Sequence, residues 1–191
     1  MPETLILLFH PEPARSRANA ALARAAAVLP GVEVVQMQPL YPGGAIDVPA
    51  EVARLLRARR LVLQFPVQWY APPPLLQQWQ DTVLTRMFYE APDTEGRRMQ
   101  GRPLLVAATA GNVPEAYGPG GINLFPLEEL LRPLQATASR CALAWSPPFL
   151  LHAANRLDEA GLAEAGGRYA ARLRRWQAET AAGDGRPALA G

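Results

Sequence analysis

The chain has a single cysteine, Cys141, and only two histidines in 191 residues. One thiol cannot close an intrachain disulfide, so a disulfide-stapled secreted fold is excluded. With Ala142, Leu143 and Ala144 beside it, Cys141 reads as a small buried hydrophobe rather than a reactive thiol. His10 has no cysteine or second histidine nearby, so no metal site is expected. Glycine-rich phosphate loops are missing too: neither a Gly-x-Gly-x-x-Gly fingerprint nor a Walker loop occurs. No apolar run is long enough to cross a bilayer, and Met1–Phe9 lacks the basic-then-apolar order of a signal peptide. The expectation is a soluble, cytoplasmic protein, with peripheral association at the inner face of the cell membrane left open. Charge of one sign is also scarce: 19 basic against 17 acidic residues give a formal +2. Arg54, Arg57, Arg59 and Arg60 are read as the solvated end of a helix, and no nucleic-acid partner is expected.

What remains is globular: 49% of the residues are apolar and 19% charged. That suffices for one core, assigned to residues 1–178, with 179–191 expected to be a flexible tail. Thr4–His10 is a nearly continuous apolar run, the pattern of a parallel strand covered on both faces. An Ala-rich helix begins around Ser16 to Asn19 and runs toward Leu29. Val32–Met37 follows as a strand, Asp47–Ala58 as a helix, and Leu61–Phe65 as the third strand. Pro74 opens the next helix, through Leu84. The stretch Glu90–Gln100 reads as an exposed loop and Pro103–Thr109 as the fourth strand. A helix is expected over Phe125–Leu134, a last strand within Ala136–Trp145 ended by Pro147 and Pro148, and a terminal helix over Leu157–Trp176. Alternating strands and helices predict an α/β doubly wound parallel sheet with helices on both faces.

In such folds ligands bind where strands end. After the first strand, Ser16 is either an N-cap or a phosphate donor, Asn19 either a surface residue or a second donor, and His10 bonds either a ligand or its own loop. After the third strand, Pro66 breaks the ladder and exposes Gln68, Trp69 and Tyr70, which either flank a ligand or close the core. After the fourth, Thr109, Ala110 and Gly111 make a turn of small residues, either routine or shaped for close approach by a flat ligand. Tyr117 stands in a glycine-rich loop that either covers a ligand or forms a surface turn.

Taken in order, these segments resemble the flavodoxin-like NAD(P)H dehydrogenase (quinone) family. The resemblance is carried by FPVQWYAPPPLLQQWQDTVL, by His10 with Ser16 and Asn19, by TAGN, and by AYGPGGINLFPLEELLRPLQATA followed by PPFLLHAA. The last two segments are similar to small bacterial members, including ancillary oxidoreductases of glutathione-gated potassium efflux. The resemblance implies an FMN-binding domain, with Ser16, Arg17 and Asn19 at the phosphate, Arg17 acting through its amide. It sets Pro66, Val67, Gln68, Trp69 and Tyr70 in one turn beside the flavin ring, and Thr109, Ala110 and Gly111 in the other turn bordering it. FMN is implied over FAD because the C-terminal region of longer relatives is missing. NADH or NADPH would be the hydride donor and a quinone the acceptor, with Tyr117 as the candidate catalytic residue. The resemblance also implies a homodimer, and as an alternative function a regulatory subunit of a potassium efflux transporter. One departure stands out: Pro119 or Gly120 occupies the place where longer members carry a loop histidine. His152 lies too far along the chain to be transferred to that place.

Overall fold

A computed structural model describes residues 3–181. The apolar runs form strands β1 (Thr4–Leu8), β2 (Val32–Gln36), β3 (Arg60–Pro66), β4 (Pro103–Thr109), β5 (Ala144–Trp145) and β6 (Phe149–Leu151). They pair in the order β2-β1-β3-β4-β5, with β6 also on β4, and every pairing is parallel. The helices are α1 (Ala18–Ala27), the one-turn α2 (Met37–Leu40), α3 (Val48–Arg57), α4 (Pro74–Trp79), α5 (Arg132–Arg140) and α6 (Glu159–Ala181).

Strand side chains alternate between the two faces. Leu7, Leu63 and Val106 point to one face, against Leu55 of α3, Trp79 of α4 and Leu134 of α5. Ile6, Val62 and Leu105 point to the other, against Leu22 of α1 and Tyr169 and Leu173 of α6. Because both faces are covered, the central strands read as unbroken apolar runs. Fully burying a leucine such as Leu22 contributes roughly 1.5–3 kcal/mol. At Gly166 a Cβ would lie 3.1 Å from the Ala25 Cβ and 3.4 Å from the Ala21 carbonyl, so the glycine lets α6 sit close on α1.

Polar contacts fix the element ends. Asp47 caps α3 by accepting from the Ala50 N–H at 3.0 Å. The other end of α3 is closed by Arg102, whose guanidinium donates to the carbonyls of Leu55, Leu56 and Ala58. Buried Arg60 donates to Thr180 Oγ1 at 2.5 Å and to the Gln177 carbonyl, tying the end of α6 to the start of β3.

Five expectations change. The helix from Pro74 does not stop at Leu84: it continues in wider π turns over Gln80–Leu84 and Arg86–Glu90. The stretch after it is not simply exposed, because the 3-10 turn Gly96–Met99 buries Gly96 and Met99. The helix expected from Phe125 begins later, as a 3-10 turn at Glu129–Leu131 followed by α5, with Pro133 in its first turn. Pro147 and Pro148 interrupt the last strand rather than end it: β5 pairs with the start of β4, and β6 resumes beside Ala107–Thr109. Proline cannot donate to a ladder, and an edge strand tolerates the gap. Finally, α6 runs to Ala181, so Glu179–Ala181 are helical; the rest of the expected tail lies outside the described residues. Among the described residues no helix is long and apolar enough to cross a membrane.

Candidate functional site

From β1 the chain goes outward to β2 and then back across to β3, so successive crossovers leave in opposite directions. A crevice opens at the carboxyl ends of the strands where this happens. Here a cavity of about 280 Å³ lies between three strand ends. His10 comes from the end of β1; Pro66, Val67 and Gln68 come from β3; Thr109, Ala110 and Gly111 come from β4. Seven residues singled out from three distant segments thus share one wall.

The turns after β3 and β4 are joined by a hydrogen bond from the Val67 N–H to the Thr109 carbonyl, 2.8 Å. Gln68 and Ala71 then exchange two backbone hydrogen bonds of 3.0 and 3.1 Å around Trp69 and Tyr70, whose φ values are 45° and 64°. Both central residues therefore sit in the left-handed region, which costs a non-glycine residue on the order of 1–3 kcal/mol. In the single chain neither ring lines the cavity. Trp69 is 92% exposed, and Tyr70 donates to Asn123 Oδ1 at 3.2 Å and faces a separate groove between α4 and α5.

At the β1 end, Ser16 does serve the helix, its Oγ accepting from the Ala20 N–H at 3.2 Å. It also lines a second cavity of about 450 Å³ that shares His10 with the first. His10 Nδ1 accepts from the Glu12 N–H at 3.1 Å, which leaves Nε2 as the free ring nitrogen. Burial lowers the His10 pKa, partly countered by Glu12, so the ring is neutral at pH 7. Arg17 is the N-cap of α1 and its side chain pairs outward with Glu159 at 3.2 Å. Among the described residues, the N–H groups of Arg17, Ala18 and Asn19 donate to no carbonyl, as first-turn donors do. Their alignment favours an anion.

Asn19 is not the surface residue its place in a helix allowed. It is buried, donating from Nδ2 to Thr109 Oγ1 at 2.8 Å, while Gln64 donates to its carbonyl at 2.9 Å. Its side chain is committed inward, so only its backbone amide can serve an anion. The network locks the first turn of α1 to the ends of β3 and β4, fixing the start of α1 relative to the turns.

Fit to a flat heteroaromatic ligand can be tested at the β4 turn. A Cβ on Gly111 would fall 2.7 Å from Asn155 Nδ2, so the glycine lets the Asn155 side chain lie close against this turn. The N–H groups of Trp69, Tyr70, Gly111 and Asn112 have no backbone acceptor among the described residues. Among those residues, no group of three or more metal-ligating side chains stands together.

The flavodoxin-like fold model matches residues 2–173. The chain belongs to the flavodoxin-like fold family. It is 40% identical over 173 residues to the glutathione-regulated potassium-efflux system ancillary protein KefF of Klebsiella pneumoniae, covering 91% of this chain and 96% of that protein. Among solved structures, one described as a thermophilic tryptophan halogenase from Streptomycin violaceusniger superposes with a TM-score of 0.82 at 36% identity, covering 88% of this chain and 97% of that one. General stress protein 14 of Treponema denticola, in complex with FMN, gives 0.80 at 32% identity, covering 93% and 99%. An NADPH-quinone reductase from P. pentosaceus gives 0.76 at 27%, covering 90% and 97%. These descriptions differ on one fold, so activity has to be argued from the site.

In this flavodoxin-like chain Tyr117 lies outside the cavity wall, in the loop that follows β4. Burial raises its pKa, with Tyr70 adding to the effect, so the phenol stays protonated at neutral pH. Its ring meets His152 edge-to-face, with centroids 5.4 Å apart. Thirty-five positions separate the two in sequence, but the resumption of the edge strand at β6 carries His152 to the end of the sheet. Burial lowers the His152 pKa, with Glu115 opposing. Sequence reasoning missed this pairing because it took the double proline as the end of the strand. It also missed Glu12, Arg15, Ala154 and Asn155 as wall residues.

Proposed function

We propose that this chain is an FMN-dependent NAD(P)H:quinone oxidoreductase, working as a cytoplasmic homodimer. The observation that carries the reading is the meeting of the Pro66–Gln68 and Thr109–Gly111 turns around one cavity at the strand ends, with first-turn amides on α1 that donate to no carbonyl among the described residues. The FMN complex of a relative 32% identical to this chain supports the choice of cofactor. FMN, when bound, supplies two-electron acceptance and release, taking hydride from NADH or NADPH and passing the electrons to a quinone.

The chain supplies binding and control. The amides of Arg17, Ala18 and Asn19, the Ser16 hydroxyl and neutral His10 would hold the phosphate. The backbone between Pro66 and Tyr70 and the Thr109–Gly111 turn would hold the ring, with unpaired amides set to stabilise negative charge on it. Tyr117 is a protonated donor in the loop after β4, held against His152. Trp69, Ile122, Leu124 and Phe125 are all more than half exposed, and a second subunit would cover them. FMN binding is assigned to residues 1–178.

Steady-state kinetics test the reading. With FMN bound, NADH or NADPH and a soluble benzoquinone should give parallel double-reciprocal lines, because donor and acceptor use one face in turn. Intersecting lines, or no acceptor-dependent oxidation by an FMN-loaded sample, would count against it. The second reading, an ancillary subunit of a potassium efflux transporter seated peripherally on the membrane, is favoured by the 40% identity to KefF. It predicts co-purification with such a transporter even when turnover is slow.

A further inference from the structure

The chain beyond β6 also lines the cavity, through Ala154 and Asn155. Ala110 N–H donates to the Leu151 carbonyl at 2.8 Å, Ala153 N–H to the Asn112 carbonyl at 2.7 Å, and Ala154 N–H to the Ala110 carbonyl at 2.9 Å. These bonds continue the β4–β6 pairing past its end and stitch the segment to the glycine turn. Ala153 holds a left-handed φ of 52° between them. A non-glycine residue persists there only when its surroundings over-determine it.

This bend delivers Asn155 to the cavity wall, its Nδ2 against the open face of Gly111. Among the described residues the carboxamide has no hydrogen-bond partner, so both its donor and its acceptor are free for a ligand. Exposed asparagines usually satisfy themselves in water, but this one is held by a fixed backbone beside two unpaired amides, those of Gly111 and Asn112.

We propose that Asn155 is a direct flavin contact, donating through Nδ2 to the carbonyl-bearing edge of the ring and favouring the reduced, more negative cofactor over the oxidised one. The inference rests on the flavin reading above. A donor strengthens as its acceptor gains charge, so its loss should be felt unequally by the two redox states.

The test is FMN titration by fluorescence quenching, with oxidised and with dithionite-reduced cofactor, for the full chain and for Asn155→Ala and Asn155→Asp. For Asn155→Ala, affinity should fall about threefold for oxidised and about thirtyfold for reduced FMN, as for loss of a neutral and a charge-assisted hydrogen bond. The tenfold difference lowers the two-electron midpoint potential by about 30 mV. Asn155→Asp should lower it further, since a carboxylate accepts only and repels the reduced ring. Unchanged affinities and potential in Asn155→Ala, with the parent chain binding FMN, would overturn the assignment of Asn155 alone. A parent chain that takes up no FMN would overturn the flavin reading beneath it.

Discussion

At the scale of single residues, the contact between Tyr117 and His152 joins two segments through one imidazole ring. An aromatic edge-to-face pair is worth about 0.5–1.5 kcal/mol beyond its buried area. His152 is also titratable, and burial holds its folded pKa below the ordinary value of about 6.5. The unfolded chain therefore binds the proton more readily, and stability contributed by the neutral ring is lost as pH falls through 6.5 toward the folded pKa. His10 acts in the same direction. His152→Phe keeps a ring against Tyr117 and removes one titration. Urea-unfolding midpoints measured from pH 7.5 to pH 5 should fall less for this variant than for the parent chain; an equal fall would show that His152 carries no such linkage.

At the scale of elements, one buried carboxylate joins three segments. Glu51 on α3 is fully buried and accepts from Tyr41 Oη at 2.9 Å, Trp79 Nε1 at 3.1 Å and Arg54 Nε at 3.1 Å. Burial and the hydrogen bond to Glu51 push the Tyr41 pKa up to about 12. Trp79 in turn packs edge-on against Phe9, just before His10. Glu51→Ala would strand the buried Tyr41 and Trp79 donors and remove one of the two carboxylates on Arg54, at a cost of about 3 kcal/mol or more in a urea-unfolding measurement. A loss under 1 kcal/mol would mean the network is dispensable. None of this network was visible in the sequence. Glu51 sits in a helix whose readable signal was the Val52, Leu55 and Leu56 stripe, and a buried acid looks like a solvated one until its partners are placed. The strands were legible because parallel strands covered on both faces have no polar alternation to blur them, and Pro103–Thr109 was read to the residue. Helix starts near proline were harder: Pro126 and Pro133 leave two entry points, and packing of Leu131 and Leu134 selects the later one.

At the scale of the whole molecule, the strand order brings the ends of β1, β3 and β4 together, and seven candidate residues meet there because topology, not local sequence, makes them neighbours. That part of the site was legible as separate strand-end motifs. Asn155 and the His152 contact were not, because they depend on an edge strand that resumes after two prolines. The central claim is that this crevice holds a flavin which nicotinamide nucleotides can reduce. The most direct measurement is the visible absorption of the FMN-reconstituted chain during anaerobic addition of NADH or NADPH, followed by a quinone. Bound flavin absorbance should bleach with one equivalent of donor and return with one equivalent of quinone. Flavin that does not stay with the protein through gel filtration, or that stays but does not bleach, would contradict the claim.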